Sequence, residues 1–500
     1  MSDHIIDIAE AEHPKTITPG IFGHFIEFLG RCINDGIWAG EDSDIPQENG
    51  LRLDIIDALQ SIRAPAFRWP GGTFADCYHW QDGIGPRHER PTRRNIFWGG
   101  DESNHFGTDE YFHWCNRIGA DPVLQTNLGS GSPQETLDWM DYCNGTSQSE
   151  FAKRRRMHGH EEPYGVKYWS IGNETGLQYS PEEYAHEIRR FGFYVRQAQP
   201  EAKVIVCGDS SLEWNPRLLD AIGDRLELFD LLSLHCYAHT EPAGQNDPVD
   251  SYRLLAKAAI VDEKVSRAIE VVDNHVAGRK KIDLVIDEWG VWHHEVRILP
   301  GFPALEVPNN LEQPGTMRDA LYAARILHGF IRRADRIAMA NISMSVNTLH
   351  CLLKTRGGDL VRTPTYHVFD MLKDHGGART LATHGEAGTF EYKDDGKTLS
   401  LPKIDVVAST TPDGKRTIVS AVNPQLDREE TIRLHIKPAS GPPPSHATAS
   451  VVRAHDPCAV NDFEDPDQIV PRDALIEGVG ETWTLTCAPF SLTTATFSAE

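Results

Sequence analysis

The chain of 500 residues and 55.9 kDa exceeds what one hydrophobic core usually organises, so a large domain with a smaller partner is expected. Apolar residues make up 40% and charged residues 24%, with a mean hydropathy of −0.42, which excludes the disordered and fibrous classes. Acidic side chains outnumber basic ones 73 to 49, and the resulting formal charge of −24 opposes nucleic acid or an anionic membrane as a partner.

Met1 to Glu10 shows neither the basic stretch nor the apolar run of a secretory leader, and no later segment has the ~18 continuous apolar residues of a membrane span. This pattern points to a cytoplasmic protein. The nine cysteines are scattered without a C-x-x-C pair, unlike a disulfide framework or a zinc site, and read as buried free thiols.

Between Pro19 and Asp374, short apolar runs alternate with amphipathic helical stretches. The runs are Gly20 to Glu27, Ala64 to Pro70, Asp121 to Asn127, Val166 to Gly172, Lys203 to Gly208, Phe229 to His235, Ile282 to Asp287 and Ile337 to Ser343. Parallel strands joined by helical crossovers give this pattern, and eight of them suit a (β/α)8 TIM barrel over residues 19–375, with a doubly wound sheet as the alternative. Ser180-Pro181-Glu182-Glu183 and Thr316 with Asp319 each supply an N-cap ahead of a helical apolar stripe. After Gly376-Gly377 the texture changes to short alternating runs, such as Val406 to Thr410 and Thr417 to Asn423, which predict an all-β, jelly-roll-like sandwich over residues 376–500.

In a barrel the chemistry collects at the strand C-terminal ends. The fourth strand ends in Gly172-Asn173-Glu174 and the seventh in Asp287-Glu288-Trp289. A carboxylate directly after an apolar strand must meet water, a cation or a substrate. Two such carboxylates across the barrel mouth form the pair that glycoside hydrolysis requires, one protonating the leaving oxygen and the other attacking the anomeric carbon. Asn173 supplies an amide for a sugar hydroxyl, while Trp289 and Trp292 supply aromatic faces and Trp169, inside its strand, reads as packing. Chemistry of this kind calls for Glu174 protonated and Glu288 ionised near neutral pH, and for no cofactor.

Here the chain resembles a known family. The Gly-Asn-Glu and Asp-Glu-Trp motifs are similar to the acid/base and nucleophile motifs of retaining TIM-barrel glycosidases. The stretch from Phe22 to Arg31, with Arg68-Trp69-Pro70-Gly71-Gly72, Trp80 to Pro86 and Thr363 to Phe369, resembles the family 51 α-L-arabinofuranosidases over most of the chain. The resemblance implies that Glu174 is the acid/base and Glu288 the nucleophile. It places Glu27 and Asn173 on furanose hydroxyls, His235 and Tyr237 beside the nucleophile, and Trp98 along the sugar pocket. It also implies an oligosaccharide substrate, assembly into homo-hexamers and addition of a strand from residues 1–18 to the sandwich.

Two positions depart from the family's pattern. Thr73 stands where asparagine or cysteine is common, and Met344 where glutamine is, so one hydroxyl contact gives way to an apolar surface. Substrate preference is therefore open between α-L-arabinofuranosides and a β-xyloside, a β-glucan or another furanoside, and the non-enzymatic alternative is a carbohydrate-binding protein on a decayed barrel. The Asn127 to Ser132 loop lacks the third glycine of a dinucleotide site. His158, His160, Glu161 and Glu162 precede strand four and read as a solvated loop, with no metal site.

Overall fold

A computed structural model describes residues 4–209, 211, 213–242, 247–296, 311–385, 387–438 and 441–499. Residues 1–3 and 500, at the outer edges of the expected domains, lie outside these. All eight apolar runs become strands of one closed parallel barrel: Gly23–Phe25, Ala66–Trp69, Asp121–Thr126, Tyr168–Ile171, Lys203–Cys207, Leu231–Thr240, Asp283–His293 and Ile337–Ser343. The last closes on the first, Asn341 opposite Gly23 and Ser343 opposite Phe25. Helices outside and packed side chains within bury both faces of such strands, which is why they are almost continuously apolar; Val204, Val206, Leu232, Leu284 and Ile286 expose no surface.

Both helix starts form as the sequence indicates. Ser180 Oγ accepts from the Glu183 amide while Glu183 accepts from the Ser180 amide, opening helix Pro181–Ala198. Thr316 and Asp319 do the same for Met317–Arg332. Asp319 has a second task, holding the His293 ring at 2.9 Å with both side chains fully buried.

Strands six and seven run well past their expected ends, staying paired in parallel as far as Thr240 opposite His293. Polar side chains begin at His235 and Asp287, but the backbone ladder does not depend on them. The register then reveals a feature the sequence hid. Val285 pairs with Ser233 and Glu288 with His235, while on the other side Ile286 pairs with Ala340 and Trp289 with Ile342. In each case three steps on strand seven match two on its neighbour, so a bulge of one residue sits at Asp287–Glu288.

The C-terminal strands form a ten-stranded series with strand His4–Glu10 inside it, antiparallel to Arg379–His384 and parallel to Glu430–Ile436. Thr482–Cys487 and Ser491–Ser498 lie six places apart in that series, about 29 Å if the sheet were flat. Yet the Trp483 and Phe497 rings meet with centroids 5.6 Å apart. The sheet therefore curls over its own core of Ile6, Ile8, Val419, Ile432, Leu434 and Leu485, giving the sandwich.

Barrel and sandwich meet through buried polar groups. His375 hydrogen-bonds Ser409 Oγ at 2.8 Å and Ser420 Oγ at 3.1 Å, and His328 joins Ser420 Oγ at 2.9 Å and Asp405 at 3.3 Å. Burial lowers the His375 pKa from 6.5 to about 3, so in the folded chain this ring stays neutral. An unfolded chain takes up that proton near 6.5, so the contribution of His375 to stability is lost progressively as pH falls from 6.5 toward 3. Thermal unfolding followed between pH 7 and 4.5 should show a shallower decline of the midpoint for His375→Asn than for the natural chain. Parallel declines would exclude His375 as the source.

Candidate active site

An arginine inside an apolar strand has to find anions, because a buried guanidinium without partners is too costly to keep. Arg68, on the second barrel strand and with a side chain 1% exposed, finds several. Its Nη1 donates to Glu288 Oε1 at 2.7 Å, and its Nη2 donates to Asn173 Oδ1 at 2.7 Å. Asp287 lies 3.5 Å from its Nε. In a regular strand Asp287 and Glu288 would face opposite ways. The bulge at this point allows both to reach the same guanidinium.

Strand six adds His235 and Tyr237. The Tyr237 hydroxyl donates to Glu288 Oε2 at 2.8 Å. His235 Nδ1 lies 3.0 Å from Glu174 Oε1 and 3.6 Å from Glu288 Oε2, while its Nε2 lies 3.3 Å from Asp287. One atom each of Glu174, His235 and Glu288 falls within 4.8 Å of the others. Three such groups can in principle hold a cation. Here, however, both imidazole nitrogens face carboxylates, which makes the ring a charged donor rather than the neutral ligand a metal needs.

Glu174 follows strand four in a left-handed conformation (φ 42°, ψ 43°), and its side chain is 40% exposed against 8% for Glu288. Glu27, after strand one, accepts from the amides of Gly72 at 3.1 Å and Phe74 at 2.9 Å. Gly72 has to be glycine because a Cβ there would overlap Glu288 Oε1 and press on Asn173 Oδ1 at 3.1 Å. Glu27, Asn173, Glu174, His235, Tyr237 and Glu288 thus share one end of the barrel. The Trp292 ring meets Tyr237 edge-on with centroids 5.4 Å apart, and half-buried Trp98 is held by the Asn95 side chain and aims its indole at Glu27. Among the described residues the side chains of Thr73 and Met344 stay outside this hydrogen-bonded cluster; Thr73 opens the short helix Thr73–Cys77, and Met344 lies in the apolar core at 1% exposure.

Four carboxyls, those of Glu27, Glu174, Asp287 and Glu288, therefore share two cations, Arg68 and His235. Burial disfavours the imidazolium of His235, yet Glu288, Asp287 and Glu174 together raise its pKa well above 6.5. Burial also pushes the Glu174 carboxyl up, but the His235 hydrogen bond and charge bring it below the usual glutamate value. Glu288 is pushed up by burial and by the charges of Glu174 and Asp287, only partly offset by His235 and Arg68. Burial and the Glu288 charge take Glu27 to about 7. The two shifts run against the proton arrangement that hydrolysis calls for, Glu174 being drawn down and Glu288 pushed up; the positive charge of His235, hydrogen-bonded to Glu174, is what draws the Glu174 carboxyl down.

The comparisons with known proteins bear on this arrangement. A model described as "Alpha-L-arabinofuranosidase 1 domain" matches residues 58–254, and one described as "Alpha-L-arabinofuranosidase C-terminal domain" matches residues 287–491. The chain is 34% identical over 475 residues to an intracellular exo-α-L-arabinofuranosidase of Bacteroides ovatus, covering 92% of this chain and 89% of that one. The chain belongs to the family 51 α-L-arabinofuranosidases. Among solved structures, the family 51 arabinofuranosidase of Xanthomonas axonopodis pv. citri superposes with a TM-score of 0.90 at 28% identity, over 99% of this chain and 100% of that one. The α-L-arabinofuranosidase of Thermotoga maritima, in its arabinose complex, gives a TM-score of 0.87 at 30% identity over 99% of both chains. This family 51 member is accordingly a glycoside hydrolase acting on arabinofuranosides.

The motifs contain Arg68 and Asp287 without pointing to a role for either, and Gln125 stands in the third apolar run outside every motif. The signal was available, because each is a polar residue within an apolar strand run. His158, in the loop expected to be solvated, is partly buried and hydrogen-bonds the Tyr142 hydroxyl at 2.9 Å. In the Asn127 to Ser132 loop the Asn127 side chain already accepts from the amides of Ser130 and Gly131, at 2.9 and 3.0 Å.

Two outcomes follow for this family 51 enzyme. Gly72→Ala should lower kcat/KM on an aryl α-L-arabinofuranoside by about tenfold or more, because its methyl displaces the Glu288 carboxylate, while the melting temperature changes little. Glu27 holds its proton up to about pH 7, so a Glu27→Gln enzyme should keep the acid limb of its kcat/KM profile in place. A limb that moves to lower pH would show that Glu27 is already charged there.

Proposed function

We propose that this enzyme is a retaining exo-hydrolase that releases terminal α-L-arabinofuranosyl residues from arabino-oligosaccharides by double displacement. The observation that carries the reading is that one carboxylate oxygen of Glu174 and one of Glu288 lie within 4.8 Å of each other. Retaining enzymes keep their two carboxyls about 5–5.5 Å apart, whereas inverting ones leave about 6.5–9.5 Å for a water between them.

Glu288 is the nucleophile. Arg68 on one oxygen and Tyr237 on the other orient it and favour the charged form that attacks the anomeric carbon. Glu174, the more exposed of the two, meets the leaving oxygen. Its proton comes across the 3.0 Å hydrogen bond from His235: as a sugar excludes water from the mouth, the carboxylate loses solvation and the neutral acid becomes the favoured form. The C–O bond then breaks, the proton passes to the departing oxygen, and Glu288 becomes an uncharged ester. With that negative charge gone, Glu174 serves as base to the water that cleaves the ester. Glu27, Asn173 and the backbone around Gly72 and Thr73 receive the furanose hydroxyls, with Trp98 and Trp292 along the ring and Met344 beneath as apolar support.

The Bacteroides ovatus relative is named intracellular, and among the described residues no helix is long and apolar enough to cross a membrane. On the relative's name the substrates are short fragments inside the cell, and the family resemblance implies that the chain works as a homo-hexamer. Sedimentation velocity tests the assembly.

Glu288→Ala should abolish turnover of 4-nitrophenyl α-L-arabinofuranoside; retained activity would remove the nucleophile assignment. Glu174→Ala should still accept an activated leaving group and then stall, with azide restoring release as an arabinosyl azide of unchanged anomeric configuration by NMR.

A further inference from the structure

We propose that Gln125 is a positioning residue of this active site, a brace tying the arginine of one catalytic glutamate to the turn that carries the other. The inference rests on the assignment of Glu288 and Glu174 above. Gln125 lies on the third barrel strand with no exposed surface. Its Oε1 accepts from Arg68 Nη2 at 3.0 Å and from Arg68 Nε at 3.3 Å, and its Nε2 donates to the Gly172 carbonyl at 2.7 Å.

These partners leave the amide one orientation. A guanidinium only donates and a carbonyl only accepts, so the oxygen must face Arg68 and the nitrogen must face Gly172. On the arginine side, Gln125 occupies the edge of the guanidinium that is not used by Glu288, which stops the planar group from turning away from the 2.7 Å contact with Oε1. On the other side, the chain leaves strand four through two left-handed residues, Gly172 at φ 80° and Glu174 at φ 42°. A turn of that kind is not set by the regular ladder. The bond from Gln125 to the Gly172 carbonyl sets its height, and with it the direction in which Asn173 and Glu174 leave the barrel. One side chain therefore fixes the separation of the two carboxyls.

Two substitutions test the brace. Gln125→Met keeps the volume but removes both polar ends; Gln125→Glu keeps the shape and the acceptor, removes the amide donor and adds a charge beside Arg68. For Gln125→Met we expect kcat to fall about 100-fold with KM little changed, since the loss is one of alignment. The loss should be the same on 4-nitrophenyl and 2,4-dinitrophenyl α-L-arabinofuranoside, because Arg68 and Glu288 are affected together with Glu174. For Gln125→Glu the acid limb of kcat/KM should move to higher pH, as the new carboxylate competes with Glu288 for Arg68. A Gln125→Met enzyme with the kcat of the natural chain, or a Gln125→Glu enzyme with an unmoved acid limb, overturns the proposal. Should Gln125→Met fail to fold, the Gln125→Glu profile decides alone. If Glu288→Ala retains turnover, the fault lies with the carboxylate assignment; if Glu288→Ala is dead and Gln125→Met is fully active, the brace alone falls.

Discussion

The guanidinium of Arg68 is the constraint on which the site depends. It is buried where no water can solvate it, and it is stable there only because Glu288, Asp287, Asn173 and Gln125 meet it from several directions. Those four residues come from three other strands of the barrel, so a single cation draws the mouth together. It also sets the electrostatic terms. Four carboxyls surround two cations, and burial together with the neighbouring negative charges keeps Glu288 and Glu27 above their ordinary values.

The bulge in strand seven is the backbone counterpart of that cation. A strand with strict alternation could offer Arg68 either Asp287 or Glu288, but the extra residue turns the pair toward one side. Asp287 then lies against His235 Nε2 while Glu288 accepts from Tyr237, and the two acids share Arg68. The positive charge of the histidine between them draws the Glu174 carboxyl down against the effect of burial.

The barrel was legible because strands buried on both faces must be apolar, and the eight runs name themselves. The curled sheet was legible from alternation, and the two helix caps from residues that can do little else at those positions. The ends of strands six and seven were not legible, since a polar side chain looks like a strand end whether or not the backbone continues to pair. The bulge was invisible for a related reason: register is a property of two strands side by side, and Val285 to Trp289 reads as one uninterrupted segment. Glu174 and Glu288 could be found from their place after apolar runs. Gln125 and Arg68 could be noticed as polar intruders, but that they bond each other appears only once strands two and three stand side by side.

Strand His4–Glu10 takes its parallel neighbour from Glu430–Ile436 and its antiparallel neighbour from Arg379–His384. During synthesis this opening segment leaves the ribosome hundreds of residues before either neighbour exists. Ile6 and Ile8 can be covered only once both of those strands have been made, so the sandwich closes around a segment contributed from the other side of the whole barrel sequence.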